Sequence, residues 1–265
     1  MNNNNHNYME RTGILVAAHF ECSMPDDPLY IPVMAGSALR EYVPEGYVRD
    51  DTGDNISDRN ASFCELTALY WGWKNLDLDI IGLCHYRRFF AAPGRRRELL
   101  DKAEAAFLLQ LFDVILPEAR DYRFETNQSQ YVHSHNGKDL EVTREIIAER
   151  HPDYLGAYDS RMTMTCGHRF NMFVMKKNMA DRYCCWLFDI LAELEKRIDI
   201  SAYNEKDRRV FGFVAERLLD VWIDANNLRT TDVGYLFVGR EHLLRKAASM
   251  CFRKLKATVK NNFGI

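Results

Sequence analysis

Short apolar runs alternate with longer stretches that show helical spacing. "GILVAAHF" (13–20) is a continuous apolar run after a glycine, and predicts a buried strand with His19 at its carboxyl end. "YIPVMAG" (30–36) reads as a short extended piece and "VRDDTGDNISDRN" (48–60) as a polar loop. "ASFCELTALYWGWKN" (61–75) puts Phe63, Leu66, Thr67, Tyr70 and Lys74 on one helical face, and Ser62-x-x-Glu65 has the form of a capping box. Asp79–Cys84 predicts a second buried strand, 95–112 a helix, and "DVILP" (113–117) a strand stopped by proline. A polar segment follows, then a helix over 139–154 that ends at Pro152, and a strand over 169–177. Tyr183, Trp186, Leu187, Ile190, Leu191, Leu194 and Ile198 recur at i, i+3, i+4 spacing, which predicts a strongly amphipathic helix. Another helix is expected over 209–227, a strand over 234–239 and a last helix over 241–262.

Strands that are continuously apolar and alternate with helices predict an α/β fold. Its sheet is mainly parallel and covered by helices on both faces. Neither internal repeats nor an interdomain linker interrupts the pattern. Residues 1–11 read as a disordered polar tail without the apolar core of a secretory signal, 12–240 as one domain, and 241–265 as a basic appendage.

Composition changes this picture in three places. With 47% apolar and 12% aromatic residues, the 265-residue chain can bury a large core. Its seven cysteines include no C-x-x-C pair, so they read as small apolar side chains of a reducing compartment, and a zinc site is not expected. The net charge of −3 conceals an asymmetry: from Arg240 to the end there are seven Lys/Arg and one Glu, +6, which leaves −9 elsewhere. No apolar run reaches the length of a transmembrane helix.

Ligands of open α/β sheets bind outside the carboxyl ends of the strands. The first strand ends in His19. The second delivers His85, Tyr86, Arg87 and Arg88 together, and the strand over 169–177 contains Asn171. If these strands are adjacent and parallel, the groups line one cleft with Asp54 and Asn55 of the polar loop and His133 and His135 of the polar segment. Paired guanidinium forks suit bidentate recognition of phosphate, and surface ion pairs are the plainer alternative. Asp54 and Asn55 can fix hydroxyls or a uracil, or simply cap the loop. The loop lacks the residue order of an EF-hand. There is no dinucleotide fingerprint, P-loop or serine-hydrolase elbow.

The stretches "DNISDRNASFCELTALYWGWKN", "DIIGLCHYRRFF", "FNMFVMKKNMADRYCCWLFDILAELE" and "RVFGFVAERLLDVWI" together resemble a bacterial glycosyltransferase family, domain of unknown function 4422. That family is associated with capsular, exopolysaccharide and O-antigen clusters, and some members are galactofuranosyltransferases. The resemblance covers roughly residues 12 to 240. It implies a GT-A-type, Rossmann-like fold. It also implies a UDP-sugar donor, with galactofuranose the implied sugar, and a lipid-linked or growing polysaccharide acceptor. Most GT-A enzymes hold Mn²⁺ or Mg²⁺ on an Asp-x-Asp motif after a central strand. Here His-Tyr-Arg-Arg stands in that place. The expectation is therefore a metal-independent site, with Mn²⁺ or Mg²⁺ the alternative. Arg87 and Arg88 would act catalytically by neutralising the leaving diphosphate.

On this reading His19, Asp54, Asn55, His85, Arg87, Arg88 and Asn171 bind the donor. "FGFVAERLL" (211–219) is loosely similar to the Gly-x-x-(Glu/Asp)-Asp element of inverting galactosyltransferases, which makes Glu216 the general base. Arg217 departs from that element, and Asp54 and Asp153 are the other candidate bases. His133 and His135, with Arg217, would form the acceptor lip, whereas Trp71, Trp73 and Trp186 read as core.

In "HLLRKAASMCFRKLKATVKNNF" (242–263), Leu244, Ala248, Cys251, Leu255, Val259 and Phe263 form one stripe and the basic residues lie off it. This composition fits a helix lying on the anionic inner face of the cytoplasmic membrane, or a terminal helix packed on the domain. A cytoplasmic or peripheral location follows, and no nucleic-acid partner is expected. Two other functions fit less well: a non-catalytic scaffold of a polysaccharide assembly complex, and a nucleotidyltransferase, which would want a glycine-rich loop after the first strand.

Overall fold

A computed structural model describes residues 10–238. The chain order begins β1 (Thr12–Ala18), β2 (Tyr30–Met34), β3 (Val48–Arg49), α1 (Asn60–Phe63), α2 (Leu66–Asn75), β4 (Ile80–His85), β5 (Arg88–Ala92), β6 (Arg95–Leu99), α3 (Lys102–Leu111) and β7 (Val114–Pro117). It continues with β8 (Arg120–Asp121), α4 (Asn127–Val132), α5 (Lys138–Arg150), α6 (Leu155–Thr163), β9 (Cys166–Gly167), β10 (Phe173–Lys176), α7 (Lys177–Arg197), α8 (Val210–Ala225), β11 (Thr230–Val233) and β12 (Tyr235–Phe237). The tail expected over 1–11 lies outside these residues except at its end, as does the whole basic segment 241–265.

The central sheet runs β11-β7-β10-β4-β1-β2-β3. Its β4, β1, β2 and β3 are parallel neighbours, as are β7 and β11. The mainly parallel α/β sheet predicted from the apolar runs is therefore present. One strand departs from it: β10 is antiparallel to both β4 and β7. β5 folds back from β4 and carries β6 and β12 as a small antiparallel extension.

Two apolar clusters fill the two faces of the sheet. The larger gathers the buried faces of α2, α5, α6, α7 and α8 against Leu15, Leu83, Val114 and Phe173. The smaller packs α3, through Ala105 and Leu109, against Ile14, Val16, Ile80 and Val174. Every residue of the stripe predicted on α7, from Tyr183 to Ile198, is buried. Trp71 and Trp186 are core residues, each 5% exposed. Gly72 sets how closely α2 lies on β1, because a Cβ there would stand 2.4 Å from a Leu15 methyl.

Three predicted elements differ. The helix over 61–75 is broken: Cys64 adopts φ 53°, ψ −128°, so α1 ends and α2 starts afresh. The Ser62/Glu65 capping box does not form. Ser62 donates to the Arg59 carbonyl, and Glu65 is buried in other contacts. The helix over 95–112 divides into the exposed strand β6 and the shorter α3, whose real capping box is Asp101/Glu104. Finally, Asn171 precedes β10, with φ 53°, and is not part of the strand.

Candidate active site

The carboxyl ends of β1 and β4 lie side by side, with Ala17 opposite His85. His19 and His85 therefore arrive at one edge. A tight reversal follows β4: His85 pairs with Arg88, and the Tyr86 N–H donates to the Ala17 carbonyl (3.2 Å). This hairpin is what the cationic cluster after an apolar strand accomplishes. It turns the chain at the sheet edge and leaves Arg87 and Arg88 beside the strand ends. Because β10 is antiparallel, its amino end reaches the same edge, which brings Phe170 there. The first two turns of α8 supply Gly212, Phe213 and Glu216, and Arg209 stands just before it.

These groups enclose a cleft of ≈ 420 Å³, whose walls also include Cys64, Glu65 and Tyr86. Arg88 lies over the Phe170 ring (4.0 Å) and near Phe237 (5.5 Å). Arg87 is exposed at the mouth, over Tyr86 (5.0 Å) and Phe20 (6.0 Å). Arg209 donates from Nε to Cys64 Sγ (3.1 Å) and lies over Phe213 (5.4 Å). Three guanidinium groups thus face two carboxylates, Glu65 and Glu216, an excess of positive charge suited to an anion.

The individual groups are tuned differently. His85 Nε2 is 2.6 Å from the Phe170 carbonyl. A carbonyl only accepts, so Nε2 carries the proton. Burial pushes the His19 pKa below its ordinary value against the pull of Glu65, with His85, Arg209 and Arg40 adding to the lowering. His19 is then a neutral hydrogen-bonding group at neutral pH. Glu216 keeps 22% of its side chain exposed towards the cleft. Its pKa is raised, chiefly by desolvation and further by Glu65, although Arg169, Arg88 and the Phe170 N–H pull the other way. Its carboxylate therefore has more proton affinity than a free glutamate.

Backbone conformations that side chains rarely adopt gather at this edge. Cys64 and Phe170 line the cleft with positive φ, and Asn171 follows Phe170 in the same state. Strain of this kind costs of order 1–3 kcal/mol per residue and is retained where the fold over-determines it. Asn171 contributes to that over-determination. Its Nδ2 donates to Glu65 Oε1 (2.6 Å) and the Gly212 carbonyl (3.1 Å), fastening β10, α2 and α8 together behind the cleft.

Of the residues expected at the site, His19, His85, Arg87, Arg88 and Glu216 line the cleft, whereas Asn171 is buried behind it, bonded to Glu65. Arg217 points into the interior beside Gln130 and Tyr131. His135 stacks on Phe213 (4.0 Å) and bonds to Asp207 (3.1 Å), one layer behind the lining. His133 pairs with Glu125 (2.6 Å) and does not line the cleft. Asp54 and Asn55 do not line it either. Asp54 accepts from Tyr70 and faces Lys74, and Asn55 bonds within its own loop. Asp153 is exposed in the turn after α5.

Arg209 and Glu65 are charged cleft residues that the sequence pattern does not place at the site. Arg209 sits in the charged run "EKDRRVF", and Glu65 has the spacing of a helix cap.

After β4 the chain offers His85, Tyr86, Arg87 and Arg88 and no carboxylate, and the acidic residues that follow β3 are engaged elsewhere. Asp50 accepts from the Gly36 and Ser37 N–H groups (both 2.9 Å) and from Ser57, and Asp51 pairs with Arg49. Among the described residues no three His, Cys, Asp or Glu side chains are grouped to hold a metal.

The model of one family, domain of unknown function DUF4422, matches residues 13–227. The chain belongs to the DUF4422 family. No curated protein matches it. Among solved structures, the apo structure of WbbM, a bifunctional glycosyltransferase, superposes with a TM-score of 0.80 at 28% identity. That match takes in 88% of this DUF4422 chain and 46% of the WbbM chain, so the protein spans about half the length of this relative.

Proposed function

We propose that this DUF4422 chain is a GT-A-type glycosyltransferase. It would transfer a hexose, galactofuranose in the leading form of the proposal, from a UDP-sugar to a lipid-linked or growing polysaccharide. One observation carries the reading. A single cleft at the strand ends sets Arg87, Arg88 and Arg209 opposite a carboxylate, Glu216, whose proton affinity burial has raised. The likeness to WbbM, itself a glycosyltransferase, supports the same class of chemistry.

In this mechanism the acceptor hydroxyl gives its proton to Glu216 as its oxygen bonds to the anomeric carbon. The bond from that carbon to the diphosphate breaks with its electron pair on the departing oxygen, and the configuration inverts. Charge therefore grows on the diphosphate in the transition state. Guanidinium groups already in place stabilise it without reorganisation. Neutral His19 adds a hydrogen-bonding group beside them, while His85 commits its Nε2–H to the Phe170 carbonyl and holds that wall of the cleft in place. No step passes through a divalent ion.

The test is incubation with UDP-hexoses and a synthetic lipid-linked glycan, read as a mass gain of one hexose. Wild type should give the product, and Glu216→Gln should lose about 10²–10⁴-fold in rate, the usual contribution of a positioned base. Near-normal turnover by Glu216→Gln would remove Glu216 from this role. UDP binding without turnover on any hexose would favour a non-catalytic scaffold.

A further inference from the structure

Beneath Glu216 the interior holds more positive charge than it neutralises. Arg169 and Arg217 are each only 6% exposed. Arg169 Nη1 stands 3.6 Å from Glu216 Oε2 and Arg217 Nη1 stands 3.7 Å from the same oxygen, too far in each case for a hydrogen bond. Both guanidinium groups instead donate to one neutral atom, Gln130 Oε1 on α4. The Tyr122 ring lies 4.7 Å from Arg169 and the Tyr131 ring 5.7 Å from Arg217. Arg169 Nε and Arg217 Nε and Nη1 are buried without a hydrogen-bond partner. Buried, under-satisfied cations are costly, and replacing them by apolar side chains is often neutral or stabilising. Their presence here calls for a role that an apolar core could not perform.

We propose that Arg169, Arg217 and Gln130 form a positioning bracket for Glu216, in which Gln130 holds both guanidinium groups just short of the carboxylate. This rests on the reading of Glu216 as the base. Two arginines in direct hydrogen-bond contact would drive a carboxylate well below its ordinary pKa and leave a weak base. Held back, they still orient Oε2 while the carboxylate keeps its affinity for a proton. The amide of Gln130 suits this task because it accepts from both cations without adding charge. The other groups acting on Glu216 are Arg88 from β5, Glu65 and the Phe170 N–H, with Arg209, Cys64 and Tyr122 further contributors. None of these bridges the two buried arginines.

The test is direct titration of Glu216 in the full chain labelled with [δ-¹³C]glutamate, its carboxyl resonance assigned by loss in Glu216→Gln. In Gln130→Leu the arginines lose the acceptor they share and can close on Glu216, whose pKa should fall by about one unit. In Gln130→Glu a second carboxylate competes for them and repels the first, and the pKa should rise by a similar amount. Because Gln130 is only half-buried, both variants should fold. The acid limb of the transfer rate should move in the same two directions. Arg169→Lys should restore orientation only in part, lowering kcat more than it changes KM. Glu216 titrating as in wild type in both Gln130 variants would overturn the bracket, and so would shifts of the same sign. Failure of the base itself looks different: Glu216→Gln would then turn over normally, however the Gln130 variants titrate.

Discussion

Glu216 shows how burial can set the proton affinity of one side chain. Its pKa lies above the ordinary glutamate value of 4.5 because the folded protein desolvates it. A group whose pKa is raised on folding contributes stability that is present below the unfolded value and lost as pH rises through the folded value. Ionised Glu216 therefore costs stability at neutral pH. Glu216→Gln, neutral throughout, should melt higher than wild type at pH 8, with the gap closing towards pH 5. Thermal unfolding across that range measures it, and a variant that melts lower than wild type at pH 8 would contradict the assignment of the cost. The rate should fall on the acid side as the carboxylate takes up its proton, at a pH above that of an exposed glutamate.

Cys64 supports the same cleft through its backbone. A residue at φ 53° tolerates no branching at Cβ. Cys64→Val should thus destabilise by about 1–3 kcal/mol more than Cys64→Ala, as read by urea denaturation. Equal losses would mean that the position is not strained.

Among the elements, β9, α8 and β11 are clamped by His168. Its Nε2 meets Asp232 (3.1 Å), its Nδ1 meets Asp220, and its backbone N–H donates to Asp220 Oδ2 (2.9 Å). Burial opposes the charged imidazolium, but the two carboxylates outweigh it and push the pKa up to about 9. With the folded value above the ordinary 6.5, the stabilisation is full below pH 6.5 and disappears as pH rises through 9. It amounts to on the order of 3 kcal/mol. Denaturation midpoints of wild type should fall between pH 6.5 and 9.5, and His168→Gln should be less stable at pH 6 and nearly flat over that interval. A wild-type midpoint that stays level would rule out the clamp.

The elements also show what the sequence pattern can and cannot carry. β1, β4, β7 and α7 were legible because each buries a continuous run or a regular stripe, so burial alone fixes the pattern. β6 was not. "RRREL" is almost wholly exposed, its residues favour helices when nothing else decides, and here pairing with β5 decides. The break at Cys64 was hidden because a strained backbone has no residue signature of its own. The antiparallel sense of β10 was equally invisible, yet it brings Phe170 to the cleft. In the site, Arg87 and Arg88 stood out because cations are unexpected after a buried strand. Arg209 did not, since it lies among other charges and gains its place only when α8 packs. Asp54 and Asn55 had the right chemistry in the wrong place, for their loop closes on Tyr70, Lys74 and Asn75 at the other end of α2.

For the molecule as a whole, charge is divided between a −9 body and the +6 segment from Arg240 onwards. Basic residues near an anionic leaflet gain about 1 kcal/mol each. The 265-residue chain should therefore sediment with vesicles containing anionic lipid and be released by salt, whereas a chain ending at Arg240 should stay in the supernatant. Equal sedimentation of the two would end the membrane reading. No helix among the described residues is long and apolar enough to cross a bilayer.

The central claim, that arginines at the strand ends receive the diphosphate of a nucleotide sugar, is tested most directly by thermal unfolding with UDP and UDP-sugars. Each ligand is measured in EDTA and in Mn²⁺. A ligand at a hundred times its dissociation constant stabilises by about 2.7 kcal/mol. For a domain of this size that is a rise of several degrees. The account predicts that rise with UDP in EDTA, and its loss in Arg87→Ala/Arg88→Ala. A rise that requires Mn²⁺, or one that persists undiminished in the double variant, would contradict it.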